Sequence, residues 1–140
     1  MRSLVAVFSL LLFFSCDRRP VYPPVTFDGQ SAVVAVGSLK EAVPVFFSFG
    51  LHGKRIDFFV VRSGSDISSY FDACRECYVQ KRGYRYEKGA MVCRACNVRF
   101  PCDRLDTGIG GCYPIKLPGT RAGDRYVISR EDLAAGEKYF

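Results

Sequence analysis

This sequence has a single histidine, no tryptophan and no apolar run long enough to cross a bilayer. One histidine is too few for the usual catalytic metal sites, and there is neither a Ser/His/Asp set nor a glycine-rich phosphate loop. That histidine, His52, precedes Gly53 in a predicted turn, where we expect a surface position. Glu131 and Asp132 are expected to cap a helix rather than to act as an acid/base pair. We therefore predict a protein that is not an enzyme.

The composition indicates one small folded domain. The 140 residues include 12 Phe and 8 Tyr, which can form the core, while 13 Gly and 7 Pro indicate many turns. The formal net charge is +6, but the basic residues are scattered along the chain. This distribution favours a solvated basic surface, so no nucleic-acid partner is expected.

The N-terminus is typical of an export signal. Residues 4–14 are apolar apart from Ser9, a run too short to cross a bilayer, which takes roughly 20 residues. We predict a signal peptide over residues 1–15. Ser15 and Cys16 resemble a bacterial lipobox, which predicts lipidation of Cys16; alternatively, Cys16 merely lies near an ordinary cleavage site. Asp17 resembles the signal that retains lipoproteins at the inner membrane of Gram-negative cells.

The predicted lipid anchor sets the expected location. The protein should work outside the cytoplasm, held to the membrane by its N-terminal lipid, on the periplasmic side of the inner membrane in a Gram-negative cell. Residues 16–28, with Pro20, Pro23 and Pro24, are predicted to form an extended tether.

Residues 29–140 are predicted to form a mainly β domain. Runs rich in Val, Ile, Phe and Tyr predict strands at residues 31–36, 42–51, 55–62, 67–71, 83–87, 90–93, 113–117 and 125–128. Residues 99–111 are expected to be loop. Ser129 and Asp132 predict a capping box that opens a short C-terminal helix ending at Gly136. The expected fold is a small antiparallel β sandwich or barrel with a metal site made of two cysteine knuckles.

That metal site is predicted from two Cys-x-x-Cys pairs. Cys74 and Cys77 form the first pair, Cys93 and Cys96 the second, and the hairpin between them contains Lys88-Gly89. Each pair can place two thiolates on one turn, and the hairpin can bring the turns face to face, which suits tetrahedral metal coordination. Disulfides are the usual alternative in exported proteins, but such short loops gain little entropy from closure. Thiol exchange is a third alternative.

The identity of the metal and the role of the other cysteines stay open. Thiolates suit an iron–sulfur cluster, zinc or a mononuclear iron. Zinc knuckles favour a left-handed residue after the second cysteine, which Asn97 accepts more readily than Tyr78. Cys102 and Cys112 could form a disulfide over the site; alternatively, Cys112 is a fifth ligand or a reactive thiol.

Local resemblances point to iron–sulfur proteins. Residues 93–100 resemble the second cluster loop of Rieske proteins, and the two pairs resemble rubredoxin-type cysteine knuckles. With cysteines in place of both Rieske histidines, a [2Fe–2S] cluster would have a potential nearer the plant-type ferredoxin range.

A wider resemblance covers the chain from about residue 31 to its end. It is carried by residues 58–61, 71–78, 83–84, 92–96, 110–114 and 138–140. These resemble the FtrD-like family of membrane iron–sulfur proteins, which are associated with bacterial iron uptake. The resemblance implies that the shared cysteines are Cys74, Cys77, Cys93, Cys96 and Cys112.

The same resemblance supplies the expected function. It implies a membrane-anchored electron carrier linked to iron transport, with inner-membrane iron-transport or redox proteins as partners. Asp72 and Tyr78 are expected to tune the site from positions beside its ligands. The alternative is a structural zinc-ribbon-like domain that binds a partner protein or delivers metal.

Overall fold

The computed structural model describes residues 19–108 and 110–140. The predicted signal peptide, Cys16 and Asp17 lie outside the described residues. Within the described part of the chain, no helix has both the length and the apolar character needed to span a bilayer.

The described residues form a mainly β fold, as predicted. The strands are β1 (Thr26–Asp28), β2 (Ser31–Ala35), β3 (Val45–Leu51), β4 (Lys54–Ser63), β5 (Asp66–Cys74), β6 (Tyr84–Glu87), β7 (Ala90–Cys93), β8 (Arg99–Pro101), β9 (Pro114–Leu117), β10 (Thr120–Ala122) and β11 (Arg125–Ser129). The α-helix α1 spans Arg130–Ala135, and 3-10 turns lie at Val36–Ser38, Tyr78–Gln80 and Gly136–Tyr139.

Three antiparallel sheets result. Their strand orders are β1-β2-β11-β10, β3-β4-β5-β9 and β6-β7-β8. The first two sheets share one buried core, to which Val34 and Ile128 contribute from one side and Ile56 and Phe58 from the other. The third sheet packs on the opposite face of the second. The sandwich expected from the sequence is therefore present, with an additional small sheet whose strand β7 ends at Cys93.

Strand β4 contributes side chains to two buried cores, one on each face of its sheet. Its residues 56–61 are all buried, although successive side chains of a strand point to opposite faces. Phe58 and Val60 face the sandwich core, whereas Phe59 and Val61 join a second buried cluster with Tyr84. The apolar run 58–61 is the pattern of a strand covered on both sides.

The C-terminal helix begins and ends as predicted. The Ser129 side chain accepts a hydrogen bond from the Asp132 N–H, and the helix gives way to a 3-10 turn at Gly136. A Cβ at Gly136 would lie 2.1 Å from a ring carbon of Phe71. This close approach lets the chain end pack on β5, next to Asp72 and the first cysteine turn.

Three expectations about irregular segments were wrong. Residues 99–111 include strand β8, and β10 lies in a segment where no strand was predicted. Residues 19–28, predicted as tether, pack on the domain: the Ser48 N–H donates to the Pro23 carbonyl (2.8 Å) and the Val25 N–H to the Ser48 carbonyl (3.0 Å). Proline removes a donor but keeps its acceptor, so a proline-rich segment can still pair along an edge.

Candidate metal centre

Two turns carry the paired cysteines. Cys74 is the last residue of β5 and Cys93 the last of β7, so both sit at strand ends with fixed backbones. The first turn closes with the Cys77 N–H donating to the Cys74 carbonyl (3.1 Å). In the second, the Asn97 N–H donates to the Cys93 carbonyl (2.9 Å), and Asn97 adopts the predicted left-handed conformation with φ of 60°.

The sulfur atoms of five cysteines converge on one region. Those of Cys74, Cys77 and Cys93 all lie within 4.8 Å of one another, and so do those of Cys77, Cys96 and Cys112. All six described cysteines are free thiols. Two sulfurs bonded at roughly 2.3 Å to one tetrahedral metal lie roughly 3.8 Å apart, whereas a disulfide needs about 2.05 Å. The sulfurs are therefore close enough to be ligands of a shared centre, and they are not joined as disulfides.

The predicted Cys102–Cys112 disulfide is not formed. The Cys112 sulfur lies 3.9 Å from that of Cys96, at the cysteine site. Cys102 is instead buried in the second core cluster, and its N–H donates to the Gly89 carbonyl (3.0 Å). The two residues thus belong to different environments, because the chain from β8 to β9 brings only Cys112 to the paired cysteines.

Burial divides the site into an inner and an outer half. Cys74 and Cys93 are 2% and 1% exposed, respectively. Cys77 and Cys112 are half-buried, and Cys96 is exposed. A group held here would rest on the second core cluster and reach the protein surface on its other side.

The neighbouring thiols differ in pKa because each affects the ionisation of the others. The Cys93 thiol, by hydrogen bonding to Cys74, lowers the pKa of Cys74 to about 4, and the same interaction together with burial raises the pKa of Cys93. Burial raises the pKa of Cys77 to about 11 and that of Cys112 to about 12. A bound cation would deprotonate its ligands, so metal uptake should release protons.

Tyr84 lies at the cysteine site, although the sequence analysis did not select it as a site residue. It begins β6 and is fully buried, and its hydroxyl has no hydrogen-bond partner of good geometry among the described residues. The hydroxyl nevertheless lies close enough to Cys74 to lower the pKa of that thiol. A buried donor of this kind normally has a partner, so Tyr84 is placed to donate to a sulfur of the site.

Asp72, which was predicted to tune the site, binds the first residue of β6 and Arg19. Its Oδ1 accepts from the Tyr84 N–H (2.6 Å), and Arg19 donates to its Oδ2 (3.1 Å). Burial raises the pKa of Asp72 to about 6, against the lowering effect of Arg19. Gly83 has φ of 65°, and a Cβ there would lie 2.5 Å from the Asp72 carboxylate. This contact explains why glycine precedes β6.

Tyr78, also predicted to tune the site, directly follows Cys77. It opens a 3-10 turn and packs edge-on against Tyr139, with ring centroids 5.3 Å apart. The left-handed residue of this segment is Lys81, with φ of 52°. The first turn therefore closes without the left-handed residue that follows a zinc knuckle. Tyr78 anchors this turn to the chain end.

His52 and the acidic pair take no part in this site. His52 is an exposed turn residue whose Nδ1 lies 3.3 Å from the Glu137 carboxylate. Asp132 lies in the first turn of α1, where its N–H donates to the side chain of the N-cap Ser129. Neither lies in a group of potential ligands with the cysteines among the described residues.

Comparison with known proteins identifies the relevant family. Residues 39–140 match the model of the family described as "Membrane iron-sulfur containing protein FtrD-like". No curated protein matches the chain. Among solved structures, the chain is similar to the ferredoxin of carbazole 1,9a-dioxygenase from Nocardioides aromaticivorans IC177, with 19% identity and a TM-score of 0.45 over 69% of this chain and 93% of that chain. That degree of similarity is too low to define a function.

Proposed function

This chain belongs to the FtrD-like family of membrane iron–sulfur proteins, and from that membership we propose that it carries electrons through an iron–sulfur cluster. The observation that carries the proposal is the convergence of free thiols described above, with one half buried and the other open to solvent. An electron carrier needs a centre that is held rigidly and that a partner can approach. A catalytic role is not proposed.

The residues present fit such a cluster. Thiolates are the ligands that iron–sulfur clusters use, and Cys74, Cys77, Cys93 and Cys96 supply four. The cluster would contribute reversible one-electron redox chemistry. The side chains around the site provide its environment. Phe59 and Phe100 exclude water from the inner half, and the Tyr84 hydroxyl donates towards Cys74. Four thiolates place the expected potential near that of plant-type ferredoxins, about −400 mV.

The experiment is anaerobic purification with analysis of iron, acid-labile sulfide and zinc, followed by absorption and electron paramagnetic resonance spectra. We expect iron and sulfide together with visible absorption that bleaches on reduction. A colourless preparation with stoichiometric zinc and no sulfide would refute the electron-carrier function. Serine variants of Cys93 and Cys102 are matched controls, since only the first should abolish cluster binding.

The alternative function, a structural zinc domain, is favoured by one feature. Structural zinc sites also use sets made only of cysteines, and the Cys74, Cys77 and Cys93 sulfurs lie within 4.8 Å of one another. This alternative predicts that chelators unfold the protein and that no redox signal appears between its oxidised and reduced preparations. Thermal unfolding before and after chelation separates the two functions when it is combined with the metal analysis.

Anchoring and cellular context extend the proposal. We propose lipidation of Cys16, an extracytoplasmic location and inner-membrane partners in iron uptake. The packing of residues 19–25 on the domain supports a short connection between anchor and cluster, since Arg19 already contacts Asp72. Metabolic labelling with palmitate should label the protein and not a Cys16→Ser variant. Equal labelling of both, or a soluble unmodified protein, would refute the anchor.

A further inference from the structure

The site has more sulfur donors than one centre needs. Five thiols line it, as two groups of three that share Cys77. A tetrahedral metal ion takes four protein ligands, and so does an all-cysteine [2Fe–2S] cluster. One cysteine is therefore surplus, and the geometry indicates which cysteines compete for a single coordination position.

The surplus lies in the outer half. The buried ends of β5 and β7 supply one cysteine each, Cys74 and Cys93, and no other described cysteine shares their depth at the site. The outer half instead holds Cys77, Cys96 and Cys112. The Cys96 and Cys112 sulfurs are 3.9 Å apart, and both lie within 4.8 Å of the Cys77 sulfur, so both can reach the same edge of the site.

Cys112 is held at this position by the fold. Pro114 pairs with Cys74 across β9 and β5, and the Arg75 N–H donates to the Tyr113 carbonyl (3.0 Å). The preceding Gly111 has φ of 83°, and a Cβ there would press on the Glu76 side chain at 3.3 Å. The loop therefore enters against the first cysteine turn and delivers Cys112 to the outer half.

We propose that Cys96 and Cys112 are alternative ligands for the same solvent-facing coordination position, with Cys74, Cys77 and Cys93 filling the other three. Either thiolate completes the set of four while the other stays unbound beside it. This exchange happens at the exposed edge, so the inner pair stays bound throughout. The inference rests on the proposed function only for the identity of the bound group, an iron–sulfur cluster. The exchange between Cys96 and Cys112 applies to any metal that these thiolates bind.

The test uses the full chain under anaerobic conditions with two probes. Cobalt(II) alone reports the number of thiolate ligands through its sulfur-to-metal charge-transfer bands. Reconstitution with iron and sulfide reports cluster binding by elemental content and electron paramagnetic resonance. The variants are Cys96→Ser, Cys112→Ser and the double variant. Cys93→Ser is the control for an irreplaceable ligand, Cys102→Ser is the control for a buried cysteine outside the site, and circular dichroism checks folding.

We expect each single outer variant to keep the four-thiolate cobalt spectrum and nearly the iron and sulfide content of the unmodified protein. The double variant should lose one thiolate from the cobalt spectrum and most of its cluster, and Cys93→Ser should lose both by itself. If Cys96→Ser loses as much thiolate ligation of cobalt and as much iron and sulfide as Cys93→Ser, Cys112 does not replace Cys96 and the inference is overturned. The inference is also overturned if the double variant keeps the four-thiolate cobalt spectrum and its full cluster content. The same holds if the unmodified protein does not bind cobalt through four thiolates.

The two probes separate this inference from the proposed function. An unmodified protein that binds cobalt through four thiolates but takes up no sulfide would refute the iron–sulfur function. The cobalt spectra of the variants would still decide whether Cys112 replaces Cys96.

Discussion

Replacing Arg19 with methionine should destabilise the domain, although Arg19 lies in a segment that the sequence presents as a tether. Its guanidinium donates to the Asp72 carbonyl and carboxylate, lies 3.9 Å from the Asp57 carboxylate, and covers the Phe140 ring at 4.9 Å. The Arg19 side chain is 15% exposed and that of Asp72 is 1% exposed. Methionine keeps much of the apolar contact and removes the charge.

The size of the effect follows from the partners that remain. Breaking a buried ion pair by removing one partner typically costs about 3–5 kcal/mol, because the other charge stays buried. Asp57 keeps Arg55, whose Nε lies 3.0 Å from its Oδ1, and Asp72 keeps the hydrogen bond from the Tyr84 amide. We therefore expect a loss near the lower end of that range, about 3 kcal/mol.

Urea unfolding of preparations with matched metal content measures this loss. Arg125→Met is the matched control: its guanidinium pairs with Asp28 at 2.9 Å, but the two side chains are 51% and 70% exposed. Exposed pairs contribute about 0–1 kcal/mol. Adding Asp72→Asn to Arg19→Met should recover part of the stability, since the unpaired charge is then gone. If Arg19→Met costs no more than Arg125→Met, the buried-charge reasoning is wrong.

Three further predictions concern the site and its support. Tyr84→Phe removes a buried donor to the site, so a redox titration should show a potential lower by on the order of 50–100 mV, and an unchanged value would contradict the assigned contact. Gly83→Ala should cost about 2 kcal/mol or more in urea unfolding, because its Cβ would meet Asp72, whereas Gly123→Ala, with φ of 64° and open space around it, should cost about 1 kcal/mol; equal losses would argue against the close contact. Burial raises the pKa of Asp57 above its ordinary value of 3.8, against the effect of two neighbouring arginines. The folded state therefore holds this proton more tightly, and the associated stability, full below pH 3.8, is lost as the pH rises through the folded pKa. Asp57→Asn should flatten that decline in the unfolding free energy, and an unaltered pH profile would contradict the assignment.

Turns and caps were predictable from the sequence because their causes lie within a few residues. His52-Gly53 and Lys88-Gly89 both have positive φ in the structure, as hairpin turns require. Ser129 accepts from the Asp132 amide three residues later, which is a local contact. The apolar runs indicated most strand positions for the same reason, although they left the order of the strands open.

The proline-rich start was predicted wrongly because its contacts are distant in sequence. Arg19 contacts Asp72 across 53 positions, and the segment pairs with Ser48 of β3. No pattern within residues 16–28 signals an acceptor so far along the chain. Tyr84 was missed for a related reason: burial and the position of its hydroxyl depend on how β6 packs against β4 and β5.

The sequence by itself determined the chemistry of this protein: soft thiol ligands at paired spacing, strand-forming runs and a capped helix, each set by neighbouring residues. The tertiary structure decided which cysteines meet. It buried Cys74 and Cys93, brought Cys112 to Cys96 and sent Cys102 into a separate apolar environment. These outcomes depend on how three sheets pack through non-local contacts, and the free energy of such packing cannot be assigned to any one stretch of the chain.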